Sequence, residues 1–288
     1  MVYMEKVLFN DKMIDRENAL FSFDDRSMYF GDGVYEVIRV YSGHPYKLEM
    51  HLQRLQRSAD ELDIPYSIKE KQTLKKRVTE LIDTNDLTHD GYVYIQLSRG
   101  AAARDHLYER HIDPFIFAFT KEMETPVNQQ EQGIAVYLTE DIRWLRCDIK
   151  TVNLLGNVLA KRQAADHDCS EAIQHRGDTI TEGSSSNLFI VKDGRLQTHP
   201  ADNLILNGIT RQIVADLAEE QGLPVSFTPF TTAELLEADE AFITSTINEI
   251  TPIIEWRGTR HGMLNIGPIT AQLQKALQAD IERTRSGE

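Results

Sequence analysis

Only two cysteines, Cys147 and Cys169, occur among the 288 residues. Two thiols do not make a disulfide framework, and a reducing compartment, the cytoplasm, is the simpler expectation. Long apolar runs are missing too, since none approaches the roughly 20 residues a membrane-spanning helix needs. The opening stretch MVYMEKVLFNDKMIDREN mixes charges throughout and shows no signal-peptide core. Positive charge is in deficit, with 31 Lys and Arg against 45 Asp and Glu, a formal net charge of −14. Such a surface repels DNA, RNA and anionic membranes, so neither nucleic acid nor membrane is expected as a partner. A small anion stays compatible, because a local cationic pocket can sit inside an acidic protein. The nine histidines form no HExxH or comparable cluster, which argues against a metal enzyme. No GxSxG elbow suggests a serine hydrolase. Internal repeats and low-complexity tracts are also absent.

What is present is ordinary globular composition, 41% hydrophobic and 26% charged, in a chain long enough for one large domain or two smaller ones. Strands are predicted over 2–9, 34–41, 91–98, 114–120, about 134–139 and 240–246, with short strands through 171–199. A helix is predicted over 47–62, where Leu48, Leu52, Leu55, Ala59 and Leu62 form one apolar stripe. Further helices fit 69–84, 153–166, 210–221 and 268–283. The polar, aperiodic KEMETPVNQQEQG (121–133) reads as a linker. The expectation is a mixed α/β chain without regular βαβ rhythm. It would comprise a small N-terminal α/β domain (1–120), the linker (121–133) and a larger C-terminal α/β domain (134–288) bearing Lys150.

That lysine stands in WLRCDIKTVNLLGNVLAK, beside a tryptophan, a leucine and an isoleucine. Desolvation disfavours an ammonium, so such a lysine is a candidate nucleophilic amine, able to form a Schiff base with a carbonyl. Cys147, three residues earlier, reads as a small buried apolar side chain. In LNGITR (206–211), a glycine and Thr210 open a strong helix whose free N–H groups suit a phosphate. Ser245 and Thr246 at a strand end offer a second anion contact, and the Arg54 fork a third. In TEGSSSNLFIV, Glu182 could pair with a heteroaromatic nitrogen. Tyr35 lies on the strand after FGDG. Arg104 and His106 are two apart after a strand, a compact cationic trap for a carboxylate if the backbone there is extended. Taken singly, each segment also reads as ordinary structure, whether packed lysine stem, capped helix, turn or solvated charge.

Together, FGDGVYEV, HLQRL, RGAAARDH, WLRCDIKTVNLLGNVLAK, TEGSSSN, NGITR and TSTINEITP stand in the order found in fold-type IV pyridoxal-phosphate enzymes. The chain resembles that family over nearly its whole length, and within it the D-amino-acid aminotransferases. TEGSSSN and NGITR are shared with branched-chain aminotransferases and aminodeoxychorismate lyases. The Arg104–His106 pair with Tyr35 discriminates. The resemblance implies a two-domain fold-type IV enzyme with pyridoxal 5'-phosphate as cofactor. Lys150 would be the catalytic residue, holding the cofactor as a Schiff base and shuttling the proton. Glu182 would pair with the pyridine nitrogen. Arg54, Ser245, Thr246, Ile209 and Thr210 would hold the phosphate. Leu206 would pack on the ring, and Ser185 would lie near the cofactor. Tyr35, Arg104 and His106 would bind the substrate carboxylate, the last two reaching in from the partner subunit of a homodimer. Ala103 stands where the family often has a proline, which implies a less stiff loop. The implied reaction moves the amino group of a D-amino acid, such as D-alanine, to a 2-oxo acid, such as 2-oxoglutarate, by a ping-pong mechanism. The alternatives are a branched-chain L-aminotransferase, an (R)-amine transaminase and an aminodeoxychorismate lyase.

Overall fold

The computed structural model describes residues 5–258 and 260–286, without the side chains of 68–72. It forms two compact units. One comprises the residues up to Glu124, Ile149–Asn153 and those from Ile281 onward; the other comprises Thr125–Asp148 and Leu154–Asp280.

The first unit is built on β1 (Lys6–Phe9), β2 (Lys12–Asp15), α1 (Arg26–Phe30), β3 (Gly33–Tyr41), β4 (His44–Pro45), α2 (Leu48–Glu61), α3 (Ile68–Thr84), β5 (Gly91–Ser98) and β6 (Phe115–Glu122). Its sheet runs β2-β1-β6-β5-β3-β4, all antiparallel. Period-two alternation gives β5 and β6 one core face of Val93, Ile95, Leu97, Ile116 and Ala118, all buried. The α2 stripe meets that core: Leu48, Leu52, Leu55 and Ala59 are buried, and Leu62 packs at its edge. Burying each of these leucines stabilises the unit by about 1.5–3 kcal/mol. The strand predicted from residue 2 is described only as β1, because 2–4 lie outside the described residues.

One backbone position in this unit admits only glycine. Gly100 has φ +103°, and a Cβ there would stand 2.1 Å from the Asp113 carbonyl oxygen. Its own carbonyl accepts from the Arg26 N–H at 2.9 Å, which ties α1 to the end of β5. Gly100→Ala should lose about 3 kcal/mol of stability, combining left-handed strain with a backbone clash. Urea denaturation checks this, and a loss under about 0.5 kcal/mol would be the range of a neutral surface change.

The second unit contains α4 (Val127–Gln132), β7 (Ile134–Glu140), α5 (Leu155–Asp166), β8 (Glu171–Arg176), β9 (Thr179–Gly183), β10 (Asn187–Lys192) and β11 (Arg195–Thr198). It continues with α6 (Ile209–Glu220), β12 (Val225–Phe227), α7 (Thr232–Leu236), β13 (Glu240–Ser245), β14 (Glu249–Gly258), β15 (Gly262–Met263) and α8 (Pro268–Arg285), whose last turn falls in the first unit. The sheet order is β12-β11-β10-β13-β14-β7-β8-β9, with β15 on β14. Parallel pairs (β14 with β7, β7 with β8, β11 with β12) mix with antiparallel ones. The core gathers Ile173, Ile180, Phe230, Ile243 and Trp256, all buried.

The fold is mixed α/β, as the patterning predicted. The stretch 121–133, expected as a linker, carries the end of β6 and all of α4. Lys150, expected in the C-terminal domain, lies in the segment Ile149–Asn153 that packs with the first unit. Among the described residues no helix is long and apolar enough to cross a membrane.

Candidate active site

Lys150 is held by its backbone from two sides. Its carbonyl accepts from the Tyr35 N–H at 3.0 Å, and its N–H donates to Ser58 Oγ at 3.2 Å. Thr151 bridges to Val34, so β3 sets where the lysine side chain starts. The side chain is half-buried, with Nζ 4.4 Å from the centre of the Tyr35 ring. The apolar neighbours read from the sequence divide: Ile149 is buried, whereas Trp144 and Leu145 are exposed.

Beside Lys150, β3 and α2 form a buried polar triad, Glu36 with His51 and Arg54, whose acid and histidine sequence reasoning left unassigned. Glu36 is fully buried, and Arg54 Nε and Nη2 donate to its two oxygens at 2.7 and 2.9 Å. His51 Nδ1 stands 2.7 Å from Glu36 Oε2. The i, i+3 spacing of His51 and Arg54 puts both on one helix face. Burial pushes the Glu36 carboxyl up, but the Arg54 and His51 interactions outweigh it and hold the group well below the ordinary carboxylate range. For His51, burial wins over Glu36 and favours the neutral ring. The only sequence signal was an acid, a histidine and an arginine falling within two quoted motifs.

Arg104 and His106 are both exposed and meet at one ring: the Arg104 guanidinium and the His106 imidazole each lie 5.4 Å from the centre of Phe30. Their segment is a loop and not a strand, so Phe30 brings them together rather than an extended backbone. Arg26 ties the loop to α1, donating to Asp32 Oδ2 at 2.8 Å and to the Asp105 carbonyl at 2.6 Å. Arg99 also donates to Asp32 Oδ2 at 2.8 Å, and to the Asp63 carbonyl at 2.8 Å.

In the second unit, Glu182 is buried at the end of β9. Its Oε1 accepts from Arg143 Nη1 at 2.5 Å, and its Oε2 from Asn187 Nδ2 at 2.9 Å and the Leu206 N–H at 3.0 Å. Burial outweighs the pull of Arg143 and the Leu206 N–H, so this carboxyl sits above its ordinary value. Arg143 is itself gripped by Asp141; burial would raise the Asp141 carboxyl, but Arg143 holds it down to about 2. Arg143 and Asn187 were missed as site residues, although Asn187 closes the TEGSSSN motif.

Ser185 is exposed, and its hydroxyl donates to Glu171 at 2.8 Å, as the flanking Ser184 and Ser186 hydroxyls also do. Ser245 Oγ accepts from the Asn248 N–H at 3.0 Å, and Thr246 beside it is half-buried. Ile209 and Thr210 are the buried first residues of α6, and Gly208 before them offers no side-chain cap. A Cβ on Gly208 would stand 2.0 Å from Asn187 Oδ1, so this turn packs directly on the group that holds Glu182.

Residues 33–256 match the amino-transferase class IV family. The D-alanine aminotransferase of Staphylococcus haemolyticus is 44% identical over 286 residues, covering 98% of this chain and all of that one. That of Listeria innocua is 45% identical over 283 residues, 96% of each. Among solved structures, the branched-chain aminotransferase of Thermoproteus uzoniensis, determined with norvaline, superposes with a TM-score of 0.87 at 29% identity, covering 99% of this chain and 96% of that one. The Escherichia coli branched-chain enzyme gives 0.85 at 27%, covering 96% and 94%. The chain belongs to the class IV aminotransferases, with the fold-type IV architecture. It is an enzyme that uses pyridoxal 5'-phosphate, and its substrates are small amino and oxo acids.

The residues present fit that cofactor. A buried carboxylate held by an arginine and two N–H donors suits a ring nitrogen, and an uncapped helix start of buried Ile209 and Thr210 suits a phosphate. Thr244, beside Ser245, also keeps a buried hydroxyl with no hydrogen-bond partner among the described residues.

Proposed function

We propose that this enzyme moves the amino group of a D-amino acid, D-alanine first among them, to a 2-oxo acid such as 2-oxoglutarate by ping-pong transfer. The observation that carries the reading is the Arg104–His106 pair around Phe30, a group suited to an α-carboxylate on a loop that Arg26 ties at the Asp105 carbonyl. Near full-length similarity to D-alanine aminotransferases supports it.

In this reading the cofactor, when bound, supplies an electrophilic carbon and an electron sink. Lys150 would hold that carbon through its amine until the donor's amine displaces it, and the freed lysine amine would carry the proton between the donor's α-carbon and the cofactor. Glu182 holds a proton at the ring nitrogen. Arg54, Ser245, Thr246, Ile209 and Thr210 bind the phosphate, Leu206 packs on the ring, and Ser185 acts at longer range through its turn. Tyr35, Arg104 and His106 orient the donor carboxylate, Arg104 and His106 from the partner subunit. A homodimer goes with this reading. Phe23, Met28 and Leu107 of the first unit and Leu155, Val158 and Leu159 of the second expose large apolar side chains that a partner subunit could cover. The two buried free thiols suit a cytoplasmic setting.

The test is the visible spectrum of the cofactor-loaded protein, with D-alanine or L-leucine added and no acceptor. Bleaching of the band by D-alanine alone is the expected result. Bleaching by L-leucine alone would move the assignment to branched-chain L-amino acids. Bleaching by a simple amine but by neither amino acid would make it an amine transaminase. Release of pyruvate from aminodeoxychorismate would make it a lyase.

A further inference from the structure

Arg211, the last residue of the NGITR motif, is buried in an unusual way. Only 3% of its surface is exposed, yet among the described residues its polar contacts are all to neutral groups. Nη1 donates to Asn207 Oδ1 at 3.0 Å and Nη2 to the His199 carbonyl at 2.7 Å, while Nε is buried without a partner. The guanidinium also stands 5.2 Å from the centre of the Phe227 ring. A buried cation without a contacting carboxylate is unfavourable, because desolvation is not repaid locally. Arg143, the other buried cation of this unit's site, has both Asp141 and Glu182 in contact. Burial lowers the Arg211 guanidinium, with Glu182 pulling the other way.

Arg211 also belongs to a convergence on two consecutive residues. The Leu206 N–H is held by Glu182 of β9, and the Leu206 carbonyl accepts from Asn187 Nδ2 of β10 at 2.9 Å. The next side chain, Asn207, is held by Arg211 of α6. Three elements thus fix one turn, and that turn delivers a backbone donor to Glu182.

We propose that Arg211 is a positioning residue: its fork fixes the Leu206–Asn207 turn and so holds the Leu206 N–H against Glu182. Arg143, Asp141 and Cys147 also face Glu182 electrostatically. They are unchanged in the variants below. The proposal rests on the reading that Glu182 serves the cofactor, but its test does not depend on that reading.

The full-length protein, loaded with pyridoxal phosphate and labelled with 15N-leucine, is compared as wild type, Arg211→Met, Arg211→Lys and Glu182→Gln. The Leu206 amide resonance, assigned through Leu206→Val, is followed against pH. A step due to Glu182 is present in wild type and absent in Glu182→Gln. Its midpoint should rise by about one pH unit in Arg211→Met, as a loosened Leu206 N–H bond to the charged carboxylate requires. In Arg211→Lys the charge stays but the fork is lost. The Leu206 resonance should then change position and the midpoint rise as in the methionine variant, and this variant carries the test if the methionine one does not fold. A wild-type midpoint in Arg211→Met overturns the proposal, as does equal thermal destabilisation of both variants with no change at Leu206. A colourless wild type under excess cofactor would refute the cofactor role of Glu182, while the Leu206 comparison would still decide whether Arg211 positions it.

Discussion

Replacing Lys150 by alanine should lower turnover by about four orders of magnitude, the scale lost when a positioned proton-transfer group is removed. The reasoning begins with the backbone. Lys150 is anchored through its carbonyl and N–H, to Tyr35 and Ser58, and its side chain contributes neither bond. The substitution therefore removes an amine and leaves the segment in place beside β3. Stability should stay within about 1 kcal/mol of wild type, since a half-buried, solvent-reaching lysine adds little to a core. Single-turnover kinetics with D-alanine separate the effects: the loss should fall on the proton-transfer step and not on donor binding. A small primary amine added to the solution should restore part of the rate. Full activity in the alanine variant would remove Lys150 from the mechanism, and unfolding would show a structural role instead.

Glu36→Gln should lower stability by about 3–5 kcal/mol, the range seen when one member of a buried ion pair is removed. Glutamine keeps the shape and offers one acceptor oxygen, but it takes away the charge that answers Arg54 and His51. The pH dependence tests the same cause. The Glu36 carboxyl is depressed in the folded state, so its contribution is present above the ordinary carboxylate value and is lost as the pH falls toward its lowered folded value. His51, also depressed, adds a loss of the same sign below the ordinary imidazole value. Wild-type stability should therefore fall on acidification from neutral pH, with a shallower fall through the acidic range in the Gln variant. Denaturation midpoints at several pH values check both statements. Equal slopes in the two proteins would mean that Glu36 is not the group being titrated. Since Arg54 is assigned to the phosphate, the variant should also bind the cofactor more weakly.

Much of this molecule was legible as pattern. β5 and β6 were legible as strands from their residue types, and the stripe on α2, which depends only on side-chain period, appears in the core where the spacing placed it. The site was legible as motifs, since Lys150, Glu182 and Thr210 each sit in a short run whose residue types suit one chemical task. The supporting groups were not. Arg143 and Glu182 are 39 residues apart, and Arg54 and Glu36 are 18 apart; neither pair shares a local period. The extended geometry anticipated for Arg104 and His106 gave way to a loop in which both rest on Phe30, with Arg26 holding the Asp105 carbonyl between them.

By itself, the sequence determined the family and the cofactor class, because these are carried by residue identity and short-range spacing. Only the tertiary structure decided that Lys150 folds with the first unit, that Glu36 answers Arg54, and that Arg211 stands buried with neutral groups as its hydrogen-bond partners among the described residues. Burial and long-range charge are properties of packing, and no window along the chain contains them.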